Sequence, residues 1–159
     1  LPSETLHEIQ ASLSYSSQLA LRLTCREIHG KLIDPTKFVT LSPRRGNAPI
    51  RRTYDIYDLL EIEQWPTYTG VRGRPEYAKQ PIAGHDFFAC SLCLKLRSAG
   101  KFSNAMMKGK RGKLGSGTVE ERRSRFCIPC GVAHNRYQKG TQLKFGGASG
   151  GYGFVCLEC

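Results

Sequence analysis

Apolar residues recur at helical spacing near the start of the chain. Leu6, Ile9 and Leu13 follow Ser3 and Glu4, which predicts a short amphipathic helix capped by Ser3, with Glu4 at the positive end of its dipole. After the polar break Ser14-Tyr15-Ser16-Ser17, a second stripe of Leu21, Cys25, Ile28 and Leu32 excludes Arg22, Arg26 and Lys31. This predicts a second helix that Pro35 stops. On that stripe Cys25 is expected to face a core as a small hydrophobe. Residues 41 to 50 hold Pro43, Arg44, Arg45, Gly46, Asn47 and Pro49, a composition that predicts an exposed linker. Ile56, Leu59 and Leu60 then predict one helix over about residues 53–64, with Asp55 and Asp58 on its face and Trp65-Pro66 ending it. Residues 67 to 84, broken by Gly70, Gly73, Pro75, Pro81 and Gly84, are expected to be irregular. Near the end, TQLKF and YGFVC alternate, which predicts a β-hairpin whose glycine-rich connection, 146–151, forms a flexible tip.

Charge divides the chain in the same direction. Lys and Arg against Asp and Glu count 4 to 4 over residues 1–40, 7 to 5 over 41–84 and 13 to 4 over 85–159. The net charge of +11 is therefore mostly C-terminal. The predicted organisation is a helical module at 1–40, a linker with one helix at 41–84, and a basic cysteine-rich region at 85–159. The last region is short of large aliphatic residues, so apolar burial alone would hardly offset its chain entropy. No apolar run approaches the roughly 18 residues that a membrane span requires.

Six of the seven cysteines fall into three Cys-x-x-Cys pairs, Cys90/Cys93, Cys127/Cys130 and Cys156/Cys159. Two intervening residues let a tight turn aim both sulfurs at one point, which is the arrangement a thiophilic tetrahedral ion needs. Zinc is the expected cofactor, and a metal-free region is expected to be disordered. A disulfide framework would need an oxidising compartment, and an odd cysteine count without a secretory apolar segment argues against one. An intracellular protein, nuclear or cytoplasmic, is expected. Six thiolates exceed one tetrahedral site and fall short of two. The ligands are therefore Cys90, Cys93, Cys127 and Cys130 across 33 residues, or Cys127, Cys130, Cys156 and Cys159 across 25, or two ions with His85 and His134 completing the set. Loop closure separates the first two by only about 0.2–0.3 kcal/mol. Gly131 after Cys130 is expected to form the sharp turn of a zinc knuckle.

Two resemblances sharpen this picture. The opening Leu1-Pro2-Ser3-Glu4, the spacing of Leu6, Ile9 and Leu13, and the segment LALRLTCREIHGKLI resemble an F-box over roughly residues 1–35, with Leu23-Thr24-Cys25-Arg26 similar to fungal members in particular. An F-box docks onto the Skp-type adaptor of cullin-based ubiquitin ligases. The resemblance implies that Leu1, Pro2, Leu6, Ile9 and Leu13 face that adaptor while Leu21, Cys25 and Leu32 fill the helical core. Further on, YDIYDLLEIEQWP and FFACSLCLKLRSAGKFS resemble fungal F-box proteins with cysteine-rich tails. The layout CSLC, Lys95, Phe102-Ser103, CIPCG resembles a treble-clef zinc motif. It implies the pairing of Cys90 and Cys93 with Cys127 and Cys130, with Phe102 beneath the metal.

The expected fold is α+β, a small all-helical module followed by a zinc-stabilised region of treble-clef or ribbon type. The expected function is non-catalytic: an adaptor presenting a zinc-stabilised region, carrying one ion or two, to a protein target. The alternative is a nuclear zinc module that binds nucleic acid through the basic tract KGKRGKLGSG and the arginines Arg122, Arg123 and Arg125. An enzyme is disfavoured. His134-Asn135 resembles part of an HNH nuclease motif, but no second histidine completes it, and fully coordinated thiolates are inert nucleophiles.

Overall fold

Pro2 sets the first helix. Its φ of −57° places the backbone at the N-cap, and Leu6 N–H donates to its carbonyl (3.2 Å), so α1 runs Ser3–Ser12. Ser3, expected to be the cap, is the first helical residue instead. The computed structural model describes residues 1–35, 39–41, 49–51, 54–70, 80–113 and 115–158. It divides into two compact units, Leu1–Asp58 and Leu59–Cys159.

In the first unit the expected second helix is two helices, α2 (Tyr15–Arg22) and α3 (Arg26–Lys31). Small polar side chains cause the break. Ser14 accepts from Ser17 N–H to start α2, Thr24 Oγ1 donates back to the Leu21 carbonyl (2.7 Å), and Cys25 Sγ accepts from Ile28 N–H (3.5 Å) as the cap of α3. Cys25 is therefore exposed rather than buried, because a capping position faces outward at a helix start. Leu6 and Leu32 are buried, but much of the interior is polar. Gln10 joins α1 to the end of α3 in both directions: its Nε2 donates to the Ile33 carbonyl (2.6 Å), and its Oε1 accepts from Ile33 N–H (3.2 Å). Gln18 Nε2 likewise donates to the Leu13 carbonyl (2.9 Å). Each amide satisfies backbone groups at the ends of short helices, where buried orphans would otherwise cost free energy.

Residues 42–48 of the segment expected to be a linker lie outside the described residues, as do residues 71–79 of the stretch expected to be irregular; short paired strands border the first of these. β1 (Val39–Leu41) and β2 (Pro49–Arg51) are antiparallel, with Thr40 opposite Ile50. Helix α4 covers Ile56–Ile62, ending earlier than expected. Asp55 and Asp58 do more than decorate its face. Asp55 Oδ1 accepts from Tyr57 and Asp58 N–H groups, and Asp58 Oδ2 accepts from Asp55 N–H (3.1 Å), a reciprocal cap at the helix start.

The second unit is α+β. Strands β3 (Phe87–Cys90) and β4 (Lys95–Ser98) form one antiparallel pair, β5 (Gln142–Lys144) and β6 (Tyr152–Phe154) another. Between them lie the short helices α5 (Asn104–Met107), α6 (Val119–Arg123) and α7 (Ile128–Ala133). The β5–β6 hairpin has the expected position, but its tip is anchored. Gly147 N–H donates to Asn104 Oδ1 (2.9 Å), and Ala148 N–H donates to the Pro81 carbonyl (2.8 Å). A Cβ on Gly147 would lie 1.9 Å from that carbonyl oxygen, and its φ is +70°, so glycine is what allows the tip to dock. Phe88, Phe102, Ala99, Met106 and Met107 make a small core around two cysteines, Cys90 and Cys127. Among the described residues, no helix is long and apolar enough to cross a membrane.

Candidate metal centre

The first cysteine pair sits on the β3–β4 turn. Cys90 is opposite Lys95 in the ladder, Leu94 N–H donates to the Cys90 carbonyl (3.0 Å), and Leu94 takes a φ of +47° to turn the chain back. The second pair opens a helix. Cys127 is the N-cap of α7 and Cys130 lies in its first turn, where Gly131 N–H donates to the Cys127 carbonyl (2.8 Å). Backbone bonds join the two pieces: Ser91 N–H and Oγ both donate to the Arg125 carbonyl (2.9 and 2.8 Å), and Cys127 N–H donates to Cys90 Sγ (3.3 Å).

The sulfurs of Cys90, Cys93, Cys127 and Cys130 all lie within 4.8 Å of one another. A tetrahedron with Zn–S bonds of about 2.3 Å needs sulfurs about 3.8 Å apart, so four thiolates at this spacing fit a structural zinc ion. This group is the first of the three ligand sets. His85, His134 and Cys156 are exposed and outside it, and Cys159 lies outside the described residues. Phe102 is fully buried in the cluster with Cys90 and Cys127.

The surroundings favour thiolate at one sulfur and resist it at others. At Cys93 burial acts upward, but hydrogen bonds from Arg97, Cys90 and Cys130 outweigh it and bring the thiol down to about 7. Arg97 Nε donates to Cys93 Sγ (3.5 Å). Burial first, then the neighbouring sulfurs, push Cys130 up; at Cys127 burial also acts upward and prevails, with hydrogen bonds to Cys130 pulling down and Cys90 pushing up. Metal binding at such a site must release protons, so affinity rises with pH.

Gly131 does not form the sharp knuckle turn. It lies inside α7, and the rings of Phe126 and Tyr137 pack over it, their centroids 5.5 Å apart. A Cβ there would meet Tyr137 Cε2 at 2.3 Å and Phe126 Cε2 at 2.8 Å, and Tyr137 is held by its hydroxyl bond with Ser103. Gly→Ala inside a helix ordinarily stabilises by about 1 kcal/mol. Here overpacking of roughly 1–3 kcal/mol opposes it, so Gly131→Ala is expected to lower the melting midpoint by several degrees. A raised midpoint in a thermal melt would show that the rings yield.

Behind the cysteines lies a buried charge cluster that the sequence did not advertise. Glu63 and Arg125 are both 0% exposed and form an ion pair, and Glu63 Oε2 accepts from Ala89 N–H (2.6 Å) on β3. Lys113, from the basic tract KGKRGKLGSG, is 8% exposed and donates to the carbonyls of Glu63 and Tyr68 (2.7 Å each). Its Nζ lies 5.0 Å from the centroid of Phe88, and the Arg125 guanidinium lies 5.2 Å from the same ring. Asp86 accepts from Gly70 and Ile82 N–H groups (2.8 and 2.6 Å). A partner 62 residues away leaves no local signal, whereas Arg97 follows Cys93 by only four residues.

Burial pushes the Lys113 ammonium down to about 8, with Glu63 and Asp86 pulling upward and Arg125 adding to the depression. Between pH 8 and the ordinary lysine value of 10.5, the unfolded chain binds a proton that the folded chain has released. Stability should therefore rise with pH through that window, by at most about 3 kcal/mol. In chemical denaturation Lys113→Met should flatten this rise, and an unchanged pH profile would remove Lys113 as its source.

A scan of protein-family models, a search of curated proteins and a search of solved structures each returned no match.

Proposed function

We propose that the chain is a non-catalytic adaptor. In this reading an F-box-type helical unit docks onto the Skp-type adaptor of a cullin-based ubiquitin ligase, and a zinc-stapled module offers a surface to a protein target inside the cell. The observation that carries it is the convergence of Cys90, Cys93, Cys127 and Cys130, with four protein sulfurs and no fifth candidate beside them among the described residues. A closed four-sulfur site holds structure and leaves no open position for substrate. One pair on a hairpin turn and the other at a helix start support the treble-clef reading of this region.

Support for the docking role comes from α1–α3. Leu1, Pro2 and Ile9 are exposed and Leu13 is half-buried, so apolar surface remains available to a partner. Leu6 is buried within the unit and serves its interior instead. Adaptor capture with Leu1→Ala/Ile9→Ala is therefore the decisive experiment: capture should be lost while the helical circular dichroism stays, and undiminished capture overturns the docking role.

The second reading, nucleic-acid binding through the basic tract, is favoured by one observation. Lys108, Lys110 and Arg111 are exposed along a single cleft of about 280 Å³ that Ser124 and Glu121 complete. Phosphate neutralisation predicts binding that weakens steeply between about 50 and 200 mM salt in a mobility-shift assay, and no shift at the lower salt ends this reading.

A further inference from the structure

The β5–β6 hairpin leaves two aromatic rings in water side by side. Strand alternation puts Tyr152 and Phe154 on one face, 63% and 73% exposed, while the next residue, Val155, is buried. Their cross-strand partners are Lys144 opposite Tyr152 and Gln142 opposite Phe154, both exposed. Lys144 Nζ lies 5.2 Å from the centroid of the Tyr152 ring. The face therefore offers two rings, a cation and an amide, with no carboxylate on either strand.

Three features decide what fits it. The first is charge: residues 59–159 carry 16 Lys and Arg against 7 Asp and Glu, which favours a polyanion. The second is spacing. Residues i and i+2 of a strand lie about 6.7 Å apart, twice the roughly 3.4 Å rise of bases in a duplex. Two neighbouring bases reach two such rings only when they are unstacked from each other, which a single strand permits and a duplex does not. The third is local pattern. Gly151-Tyr152-Gly153-Phe154-Val155 has the residue types of the Gly-(Phe/Tyr)-(Gly/Ala)-Phe-Val run by which RNA-recognition motifs stack bases on a strand. The physical sense is similar here: alternation presents both rings outward, Gly153 on the opposite face leaves room for Phe145, and valine anchors the strand. The likeness covers five positions of one strand: Gly150 stands where the full run has Lys or Arg, Leu157 where it ends on an aromatic, and the surrounding sheet here has two strands.

We propose that this hairpin binds single-stranded nucleic acid by stacking two bases on Tyr152 and Phe154, with Lys144 and the wider basic surface facing the phosphates. The proposal rests on the second reading above and changes its centre. The basic tract supplies sequence-blind attraction, and the hairpin supplies the contact with the bases.

The test is fluorescence anisotropy with the full metal-loaded chain and a labelled single strand of about 12 nucleotides, within the site sizes of small stacking platforms. Tyr152→Ala and Phe154→Ala should each weaken binding about tenfold. Both should leave the slope of affinity against salt unchanged, and Tyr152→Phe should bind like the parent. Lys108→Ala/Lys110→Ala/Arg111→Ala should instead lower the salt slope. A duplex of the same sequence should bind more weakly than the single strand. Circular dichroism and metal content of the ring variants should match the parent, because exposed rings contribute nothing to the core.

If the ring variants bind like the parent while the basic-tract variant fails, the hairpin proposal falls and the second reading stands. Equal affinity for duplex and single strand overturns the hairpin proposal too. If the parent binds no oligonucleotide at about 50 mM salt, both fall.

Discussion

Treatment with a strong chelator is expected to abolish the cooperative thermal transition of residues 59–159 and to remove its near-ultraviolet signal. The apolar core of this unit is small, and two of its buried members, Cys90 and Cys127, are themselves metal ligands in the proposed centre. Structural zinc supplies on the order of 10–16 kcal/mol of apparent binding free energy in small domains, comparable to or larger than the whole stability of a typical one. Cys127→Ser should reproduce the effect of chelation, since it removes a ligand and also disturbs the backbone bond to Cys90 Sγ. Cys156→Ser should leave metal content at one equivalent and the melt unchanged, because Cys156 is exposed and lies outside the four-sulfur group. Elemental analysis decides between the ligand sets: two equivalents per chain, or loss of metal in Cys156→Ser, would falsify the single four-cysteine centre. A metal-free chain that remains ordered would remove the centre altogether.

Arg125→Met is expected to be the most damaging substitution outside the cysteines. It leaves the Glu63 carboxylate fully buried without its cation, a situation that costs about 3–5 kcal/mol. The ring of Phe88 also loses the guanidinium beside it. Glu63→Gln added to this variant should restore part of the loss. The glutamine oxygen keeps an acceptor for Ala89 N–H while the buried charge disappears. Urea denaturation of the two single variants and the double variant measures the coupling, and strictly additive losses would show that the pair is not the source. The Arg125 carbonyl also receives both Ser91 donors, so the variant should loosen the docking of the second cysteine pair and weaken zinc retention.

Some of the molecule was legible in local pattern. The spacing of Leu6 and Ile9 foretold α1, and the alternation of TQLKF and YGFVC foretold β5 and β6, because both signals arise within a few residues. Where a side chain could choose between two local bonds, pattern misled. Cys25 has the spacing of a core residue, yet its sulfur caps α3, and the stripe that would have buried it is broken by Thr24. The glycine-rich segment 146–151 has the composition of a flexible loop, but the absence of a side chain at Gly147 is what lets it dock against Pro81 and Asn104. Lys113 belongs by composition to a solvated basic tract and instead donates into the turn between Glu63 and Tyr68. Its position depends on carbonyls some 45 to 50 residues away, beyond the reach of any window along the chain.

The amino-acid order alone determined that thiolates come in pairs at zinc-ligand spacing, that the last 75 residues are strongly basic, and that two strands near the end alternate. These are properties of neighbours, and short-range sterics carry them. Which pairs meet was decided only by tertiary structure, since closing 33 residues or 25 differs by only a few tenths of a kcal/mol. The choice falls to contacts that loop length does not encode. Ser91 binds the Arg125 carbonyl, Glu63 binds the Arg125 side chain, and together they hold the start of α7 against the turn that carries Cys90 and Cys93.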